Sequence, residues 1–386
     1  MKIVGVDTHL VGNPWKNWVF VTVTTDEGIV GVGEGTVNCF GKTVEQGVAE
    51  ITQHILGHNP FQMELLVQTL IRDIYSEGGQ IHKSAVCAIE VACWDIVGKA
   101  LGVPIHTLLG GKIHPRVRAY ANGWYRGERT PEAFHAAAKA VVARGYTALK
   151  FDPFGAEWRI MDPYNEDLSI DIIAAVRDAV GPRVDVLVEG HSRFSPSIAL
   201  KLAERMAPSR PTWFEEPIHH QNNAAMADVA RHSAVPIATG ESLTSEHQFA
   251  ELLATNTVSI LQPEIHHLGG LLKAKQVCGM VDAFYGVVAP HNAQGPVSTA
   301  MCLQLAGATP NFFIQEIFDE YNVEWERDLV SHSAEVVDGW IDIPDRPGLG
   351  LELDLTECSR HPYEKTFFLP LFKSGWEKRE AQDQTS

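Results

Sequence analysis

The spacing of hydrophobic residues predicts a small α+β unit at the start of the chain. Residues 17–25, NWVFVTVTT, are rich in β-branched and aromatic side chains, and the turn at Asp26–Gly28 leads into a similar stretch, which predicts a β-hairpin. Residues 84–101 then carry apolar side chains at helical spacing, and Gly102 ends this pattern. We therefore assign residues 1–117 to an N-terminal α+β unit.

From about residue 118 the pattern changes to strands that alternate with helices, which is typical of a parallel sheet with right-handed crossovers. Five residues follow the apolar strand segments at intervals of 26, 26, 23 and 27 positions: Glu189, Glu215, Glu241, Glu264 and His291. This regular spacing favours a TIM-type barrel, and no dinucleotide fingerprint supports the Rossmann alternative. We assign the barrel to residues 118–329 and expect residues 330–386 to pack back on the N-terminal unit.

Composition and charge narrow the possible partners. The 386 residues are 45% apolar and carry a formal net charge of −17, and the sequence shows no basic stripe of the kind that binds nucleic acid. It also shows neither a run of roughly 20 apolar residues nor a signal-peptide pattern, so we expect a cytoplasmic protein without a membrane segment. The six cysteines form no C-x-x-C pair and are interpreted as buried reduced thiols.

Three glutamates at consecutive strand ends form a candidate metal site. Neighbouring strands lie about 4.8 Å apart, so Glu189, Glu215 and Glu241 could converge on one point. Close carboxylates repel one another unless protons or a cation neutralise them, and oxygen ligands suit Mg2+. The alternative is that they are ordinary solvated or helix-capping glutamates. Glu216 is interpreted as a supporting residue beside Glu215 and not as a ligand.

Two histidines and a lysine lie at further strand ends. His291 and Glu264 form a candidate general-base pair, because a carboxylate can fix the imidazole tautomer and raise its basicity; a structural His–Glu pair is the alternative. His191 stands two residues after Glu189, on the same face of the strand, and is a potential acid. Lys150 could hold an anionic oxygen, or it could be a solvated or ion-paired lysine.

Four other histidines occur as pairs in loop positions after the ligand strands. They are His219, His220, His266 and His267. Zinc-type spacing on a helix is missing from both pairs, and we interpret most of these residues as belonging to loops or to the rim of the barrel.

Several segments resemble the mandelate racemase subgroup of the enolase superfamily. They occur in the order of that subgroup and span nearly the whole chain: SAVCAIEVACWDIVGKALGVPIHTLLGG, WFEEP, ATGES, LQPEIHHLGG, APHNAQGP and IPDRPGLGLELD. The resemblance implies a modified (β/α)7β barrel under an α+β capping domain, which the N-terminus and the C-terminal tail build together. Within the subgroup, the segment EGHSRFS resembles the D-x-H-x-R segment of galactonate dehydratase and related sugar-acid dehydratases.

The resemblance also implies a role for each candidate residue. By match, the Mg2+ ligands are Glu189, Glu215 and Glu241. His191 matches the general acid, and Glu264 and His291 match the base pair. Glu316, in the segment FFIQE, matches a glutamate that hydrogen-bonds the substrate carboxylate opposite the metal.

The chain departs from the family pattern at a few positions. The first ligand and the acid of the base pair are usually Asp, whereas Glu189 and Glu264 stand here and are one methylene longer. The segment LKFDPFG also differs from the dehydratase pattern, and Asp152 occupies the place where a K-x-K pair would have its second lysine. These differences bear on the choice of substrate.

The implied reaction is the Mg2+-dependent dehydration of an aldonic or aldaric acid to a 2-keto-3-deoxy acid. His291 would remove the C2 proton, His191 would help the C3 hydroxyl group to leave, and Lys150 and Glu316 would lie near the substrate carboxylate. A racemase, an epimerase or a cycloisomerase that uses the same site is an alternative. A non-catalytic barrel that only binds metal is a further alternative.

Loops of the capping domain are expected to determine which small-molecule sugar acid is bound. The candidate loops are residues 13–18, 38–42 and 75–83. Trp15, Trp18 and Phe40 could close over a sugar chain, or they could be ordinary residues of the domain interface. The resemblance also implies an even-numbered homo-oligomer, often an octamer.

Overall fold

The computed structural model describes residues 1–76, 78–318, 321–365 and 370–378. Its N-terminal unit begins with an antiparallel sheet in the order β1-β2-β3: β1 (Ile3–Gly12), β2 (Asn17–Thr25) and β3 (Val30–Glu34). The hairpin that the sequence predicts joins β2 to β3, with Gly28 in the turn at φ 80°. Helices α1 (Gly41–Thr52) and α3 (Gly79–Leu101) pack on this sheet, and α2 (Met63–Val67) and a π-helical segment, Gln68–Arg72, lie between them in the chain. Helix α4 (Ile105–Leu108) follows and contacts α3.

Helix α3 packs directly on β3 because glycine leaves room for its backbone. A Cβ atom on Gly33 would lie 1.9 Å from the carbonyl oxygen of Ala88, and one on Gly31 would lie 2.0 Å from that of Ala92. The helix is buried on most of its faces, which explains why its apolar residues are spread beyond a single stripe. It therefore joins the sheet on one side to the barrel on the other.

Within the described residues, eight parallel strands form the barrel: β4 (Arg116–Ala121), β5 (Ala148–Phe151), β6 (Asp185–Glu189), β7 (Trp213–Glu215), β8 (Ile237–Thr239), β9 (Ile260–Leu261), β10 (Val287–Val288) and β11 (Gln315–Ile317). Neighbours in chain order are neighbours in the sheet, and β11 pairs with β4. Val288 of β10 bridges to Phe312, just before β11, so the sheet closes on itself.

The helices between the strands lie outside the barrel: α5 (Pro131–Ala143), α6 (Pro163–Val180), α7 (Pro196–Met206), α8 (Asn223–His232), α9 (Glu246–Leu253), α10 (Ile265–Leu268), α11 (Leu271–Ala283) and α12 (Pro296–Gly307). Helix α5 begins at Pro131, because the Thr130 side chain accepts a hydrogen bond from the Ala133 amide and Pro131 occupies the first turn. A 3-10 segment, Glu324–Leu329, follows β11, and the arrangement confirms the predicted (β/α)7β barrel with its α+β unit.

Large and small side chains fill the lower part of the barrel together. The buried layer contains Tyr120, Ala148, Leu187, Trp213, Ala238, Ile260, Ala289 and Ile314. The small alanines leave space for the rings of Tyr120 and Trp213, whose centroids lie 5.8 Å apart. This packed layer closes the barrel from below, so polar side chains above it face only the mouth at the C-terminal ends of the strands.

The C-terminal part of the chain contacts both units. Strand β12 (Trp340–Asp342) pairs antiparallel with β4, and helix α13 (Leu355–Arg360) leads to His361, whose carbonyl accepts a hydrogen bond from the Gly12 amide. Residues 370–378 then lie on the loops at the barrel mouth. Among the described residues, no helix is both long enough and apolar enough to cross a membrane.

Candidate active site

The three predicted glutamates meet at the mouth of the barrel. Glu189 and Glu215 are the last residues of β6 and β7 and stand side by side in register. Glu241 follows β8 after Gly240, which turns the chain at φ 134°. Each glutamate offers a carboxylate oxygen, and these three oxygens lie within 4.8 Å of one another. The convergence is that of a ligand set for a single ion.

Lys150 of β5 lies among these carboxylates. Its Nζ atom is 2.5 Å from Glu215, 3.3 Å from Glu189 and 2.9 Å from Glu316, and only 3% of the residue is exposed. Burial alone would lower the pKa of Lys150, but Glu215 and Glu316 raise it well above its usual value. Lys150 is therefore a buried ion-paired lysine and not a solvated one.

The cluster has more negative than positive charge. Burial raises the pKa of Glu189 to about 7, against the effect of Lys150, and burial together with Glu189 raises the pKa of Glu215 to about 8. A single ammonium group thus leaves the carboxylates short of positive charge. Three hard oxygen donors with a deficit of positive charge fit a divalent cation such as Mg2+.

Glu316 closes the other side of Lys150. It stands in the middle of β11, where Oε1 accepts a hydrogen bond from Asn122 Nδ2 at 2.8 Å and Oε2 accepts one from the Asn292 amide at 2.8 Å. Burial alone would raise the pKa of Glu316, but Lys150 and His291 lower it to about 2. Glu316 is therefore an anion, held in place by several donors.

His291 and Glu264 form a close pair across the loops that follow β10 and β9. The Nδ1 atom of His291 lies 2.6 Å from Glu264 Oε2, and its Nε2 atom lies 3.6 Å from Glu241. Glu264 also caps α10, because its side chain accepts a hydrogen bond from the His266 amide. Burial alone would lower the pKa of His291, but Glu241 and Glu264 raise it to about 10.

His191 has a carboxylate partner that the sequence reasoning missed. Its Nδ1 atom lies 2.6 Å from Asp152 Oδ2, and the same oxygen accepts a hydrogen bond from Arg193. His191 has a φ angle of 47°, and this left-handed turn directly after Glu189 and Gly190 brings its ring next to the β5 loop. Asp152 stands two residues after Lys150, so strand alternation was the signal that could have placed it at the mouth.

The remaining predicted residues divide between the rim and the interior. His219 and His220 stack at the mouth with ring centroids 4.3 Å apart, and His267 lies 2.7 Å from the Glu241 carbonyl through Nδ1. His266 corrects the expectation of a rim residue, because it is fully buried where α10 packs on α3. Burial lowers its pKa to about 4.

Glu216 supports the strand ends, as expected. Its carboxylate accepts hydrogen bonds from the side chains of Thr239 and Ser192 and from the Gly240 amide. These contacts tie the end of β7 to the ends of β6 and β8, which carry Glu189 and Glu241. The Glu216 side chain therefore points away from the carboxylate cluster and holds in place the strand ends that carry the cluster.

The capping loop at residues 13–18 reaches the barrel mouth through Lys16. Its Nζ atom donates hydrogen bonds to the Ala293 carbonyl at 2.6 Å and to Gln294 Oε1 at 3.4 Å, in the loop that carries His291. Trp18 is fully buried and packs on Trp325 with ring centroids 5.7 Å apart, so it is an interface residue.

Comparison with known proteins identifies the family to which the chain belongs. The profile described as "Enolase C-terminal domain-like" matches residues 133–357, and that described as "Mandelate racemase / muconate lactonizing enzyme, N-terminal domain" matches residues 9–110. The chain belongs to the mandelate racemase/muconate lactonizing enzyme family of the enolase superfamily. Membership in this family agrees with the barrel and with the capping unit described above.

Individual relatives within this family cover most of the chain. A D-gluconate/D-galactonate dehydratase from Picrophilus torridus is 33% identical over 360 residues, which are 91% of this chain and 92% of the relative. A D-xylonate dehydratase from Haloferax volcanii is 32% identical over 94% of this chain and 89% of its own length. The crystal structure of a mandelate racemase/muconate lactonizing enzyme from Jannaschia sp. CCS1 superposes with a TM-score of 0.89, at 33% identity, over 94% of this chain and 98% of that one.

Proposed function

We propose that this chain is a Mg2+-dependent dehydratase that converts aldonic or aldaric acids to 2-keto-3-deoxy acids. The observation that carries the proposal is the placement of two histidine–carboxylate pairs on opposite sides of the barrel mouth. Strands β6 and β10 are four positions apart among the eight described barrel strands, so His191 and His291, which follow them, face each other across the barrel axis. The names of the dehydratase relatives support the same reaction.

His291 acts as the base in this proposal. Glu264 holds its Nδ1 atom, so Nε2 is directed to the mouth, where Glu241 lies 3.6 Å away. Burial alone would lower the pKa of His291, and the carboxylates of Glu241 and Glu264 raise it to about 10; a cation held by Glu241 would oppose the effect of that carboxylate. In its neutral form, His291 accepts the C2 proton through Nε2.

Positive charge at the carboxylate cluster would attract the acid group of the substrate. Held by Glu189, Glu215 and Glu241, Mg2+ would supply positive charge that favours removal of a proton next to a carboxylate. Lys150 keeps its proton and contributes a second positive charge in the same place. Glu316 lies 2.9 Å from Lys150 and fixes its direction.

His191 acts as the acid on the opposite side. Burial alone would raise the pKa of Asp152, but Arg193 and the hydrogen bond with His191 lower it, so Asp152 is an anion that can only accept. The Nδ1 atom of His191 therefore donates, and Nε2 is left for the substrate. A proton delivered from Nε2 to the C3 hydroxyl lets it leave as water, and the enol that remains tautomerises to the 2-keto-3-deoxy acid.

Product analysis tests this proposal. Purified protein with Mg2+ is incubated with a panel of aldonic and aldaric acids, and 2-keto-3-deoxy products are detected as semicarbazones. In D2O, exchange of the C2 proton follows the base step separately. We expect a product from at least one acid, and we expect His291→Asn to abolish both exchange and dehydration, while the exposed control His232→Asn retains both.

The other outcomes separate the alternatives. Exchange in the wild-type protein without loss of a hydroxyl group would replace dehydration by racemisation or epimerisation. Binding of Mg2+ without exchange or product for any acid would support a barrel that only binds. Exchange that persists in His291→Asn would show that another residue is the base.

A further inference from the structure

The last described segment of the chain, residues 370–378, lies against the acid side of the barrel mouth. Trp376 is 2% exposed, although it is only ten residues from the C-terminus. Its ring meets the ring of His191 edge-on, with centroids 6.4 Å apart and planes at 86°. The Trp376 ring also meets the ring of Tyr125, in the loop after β4, at 6.1 Å. A tail residue is therefore part of the wall around the proposed acid.

Trp376 is anchored by a hydrogen bond to a carbonyl group that Arg193 also contacts. Its Nε1 atom donates to the Gly155 carbonyl at 3.1 Å, and Arg193 donates to the same carbonyl. Arg193 also donates to Asp152, the partner of His191, and its guanidinium lies 5.3 Å from the ring of Phe372 in the tail. The Gly155 carbonyl thus links the tail to Arg193, which in turn binds Asp152, the partner of His191.

Glu377 adds charge to the same cluster. The residue is 2% exposed, its carbonyl accepts a hydrogen bond from the Gly127 amide at 3.1 Å, and its carboxylate lies 3.7 Å from Arg129. Burial raises its pKa, and the charges of Asp152, Arg129 and Arg193 all act on it. The hydrogen bond from the Gly127 amide to the Glu377 carbonyl fixes the tail at the position after Trp376, and Arg129 adds an electrostatic attraction to the Glu377 carboxylate.

We propose that Trp376 is a positioning residue for His191 and that the C-terminal tail completes the acid half of the active site. This inference rests on the proposed dehydration. Asp152 fixes one edge of the imidazole ring through Nδ1, and Trp376 fixes the ring against rotation away from the mouth. Without Trp376 the ring and the Gly155 loop lose a contact each, and the proton donor no longer points steadily at the leaving hydroxyl.

The test compares the acid step with the base step in tail variants. We expect Trp376→Ala to lower kcat for dehydration about 10- to 100-fold, with little change in KM and with C2 proton exchange within about twofold of wild type, because His291 lies across the barrel. Trp376→Phe retains an aromatic ring and is expected to recover most of the rate. Trp340→Ala, at the partly exposed Trp340 of β12, is the matched control and is expected to keep the wild-type ratio of exchange to dehydration.

A second measurement does not depend on turnover. The Nδ1 proton that His191 donates to Asp152 is expected to give a far-downfield proton NMR signal, identified by its absence from His191→Asn. We expect this signal to shift or broaden in Trp376→Ala and to stay in place in Trp340→Ala. If Trp376→Ala does not fold, Trp376→Leu, which keeps an apolar side chain without an aromatic ring, and a chain that ends at Gly375 provide the same comparison.

Two results would overturn the inference. An unchanged ratio of exchange to dehydration in Trp376→Ala means that the tail has no effect on the acid step. A parallel loss of both activities with a lower Tm and an unchanged His191 signal means that Trp376 is only structural. If the wild-type protein neither dehydrates nor exchanges any acid, the proposed function fails, and the NMR signal alone decides whether Trp376 orients the ring.

Discussion

The Nδ1 atom of His191 and the Oδ2 atom of Asp152 lie 2.6 Å apart in the wall of the barrel mouth. The same distance separates Nδ1 of His291 from Glu264 on the far side. Each imidazole thus has its Nδ1 atom occupied by a carboxylate, which leaves Nε2 for the proposed substrate. The two histidine–carboxylate pairs differ in the charged residue next to them. Arg193 binds Asp152 in one pair, whereas Glu241 lies beside His291 in the other.

The Asp152 pairing predicts a selective defect in the acid step. Asp152→Asn replaces an acceptor with a side chain that can also donate, so the His191 ring loses the contact that fixes its tautomer. We expect dehydration to fall about 10²- to 10⁴-fold, the range for loss of a general acid. C2 proton exchange should remain near the wild-type rate, as measured by NMR in D2O. The exposed substitution Asp345→Asn is the control, and equal losses of exchange and dehydration in Asp152→Asn would contradict the assignment.

The carboxylate cluster predicts stabilisation by Mg2+. A ligand that binds only the folded state adds about 2.7 kcal/mol to the free energy of unfolding at 100 times its Kd. We expect Mg2+ to raise the Tm of the wild-type protein and EDTA to reverse the increase. Glu215→Gln should abolish the effect, because the cluster loses a charged ligand, whereas the exposed substitution Glu204→Gln should keep it. An equal Tm increase in wild type and Glu215→Gln would place the ion elsewhere.

The ion pairs of Lys150 predict that the stability of a variant without this lysine depends more strongly on Mg2+ than the stability of the wild-type protein does. Removal of one partner from a buried ion pair costs about 3–5 kcal/mol, and Lys150 serves three carboxylates. We expect Lys150→Met to be destabilised by about this amount in EDTA, as measured by urea unfolding, and to gain more stability from Mg2+ than the wild-type protein gains. Lys139→Met, on the exposed face of α5, provides the comparison. A loss of stability that Mg2+ does not reduce would mean that Lys150 and the cation act independently.

Much of this site could be predicted from the sequence because its residues lie at the ends of apolar strands. Glu189 and Glu215 end their strands, and Glu241 follows the next one; parallel strands bring their carboxyl ends to one rim. The strand pattern alone therefore places these residues together. The same reasoning places His291 beside Glu264, because β9 and β10 are also neighbours.

The missed contacts are those that no local pattern encodes. Lys150 and Glu215 are 65 residues apart, and their ion pair depends on side-chain directions inside the closed barrel. Lys16 meets Ala293 across 277 positions, through the docking of two units. Trp376 reaches His191 through a tail without strand or helix periodicity. Such contacts depend on tertiary packing, which a reading of periodicity does not supply.

The hydrogen bonds of Lys16 to the loop after His291 predict that replacing Lys16 impairs the proposed removal of the C2 proton. Its hydrogen bonds to Ala293 and Gln294 hold the loop that follows His291, and hydrogen bonds to charged groups contribute about 1.5–3 kcal/mol. We expect Lys16→Met to lower kcat/KM about 10- to 100-fold, and exchange and dehydration should fall together, unlike in Asp152→Asn. Lys2→Met, on the exposed surface, is the control. A selective loss of dehydration in Lys16→Met would contradict a role in the base half.

Two buried glutamates of the capping unit contact the barrel helices that follow Glu264 and His291. Glu34 accepts hydrogen bonds from the amides of Gly295 and Ser298, at the start of α12. Glu90 accepts hydrogen bonds from the amides of Leu271 and Leu272, at the start of α11. Side-chain oxygens at these positions satisfy free amides in the first turns of the two helices. They also fix the loops in which Glu264 and His291 lie.

These carboxylates predict how stability changes with pH. Burial raises the pKa of Glu34 and of Glu90 to about 7, from a usual value of 4.5. Between these two pH values the folded chain keeps both protons and the unfolded chain releases them, so the free energy of unfolding falls as the pH rises through this window. We expect the wild-type protein to have a higher free energy of unfolding than Glu34→Gln, and we expect this difference to be larger at pH 5 than at pH 8. Urea unfolding at both pH values measures it. Glu64→Gln, an exposed substitution in α2, is the control and should show the same change of stability with pH as the wild-type protein. If stability changes with pH equally in the wild-type protein and in Glu34→Gln, Glu34 is ionised throughout the window.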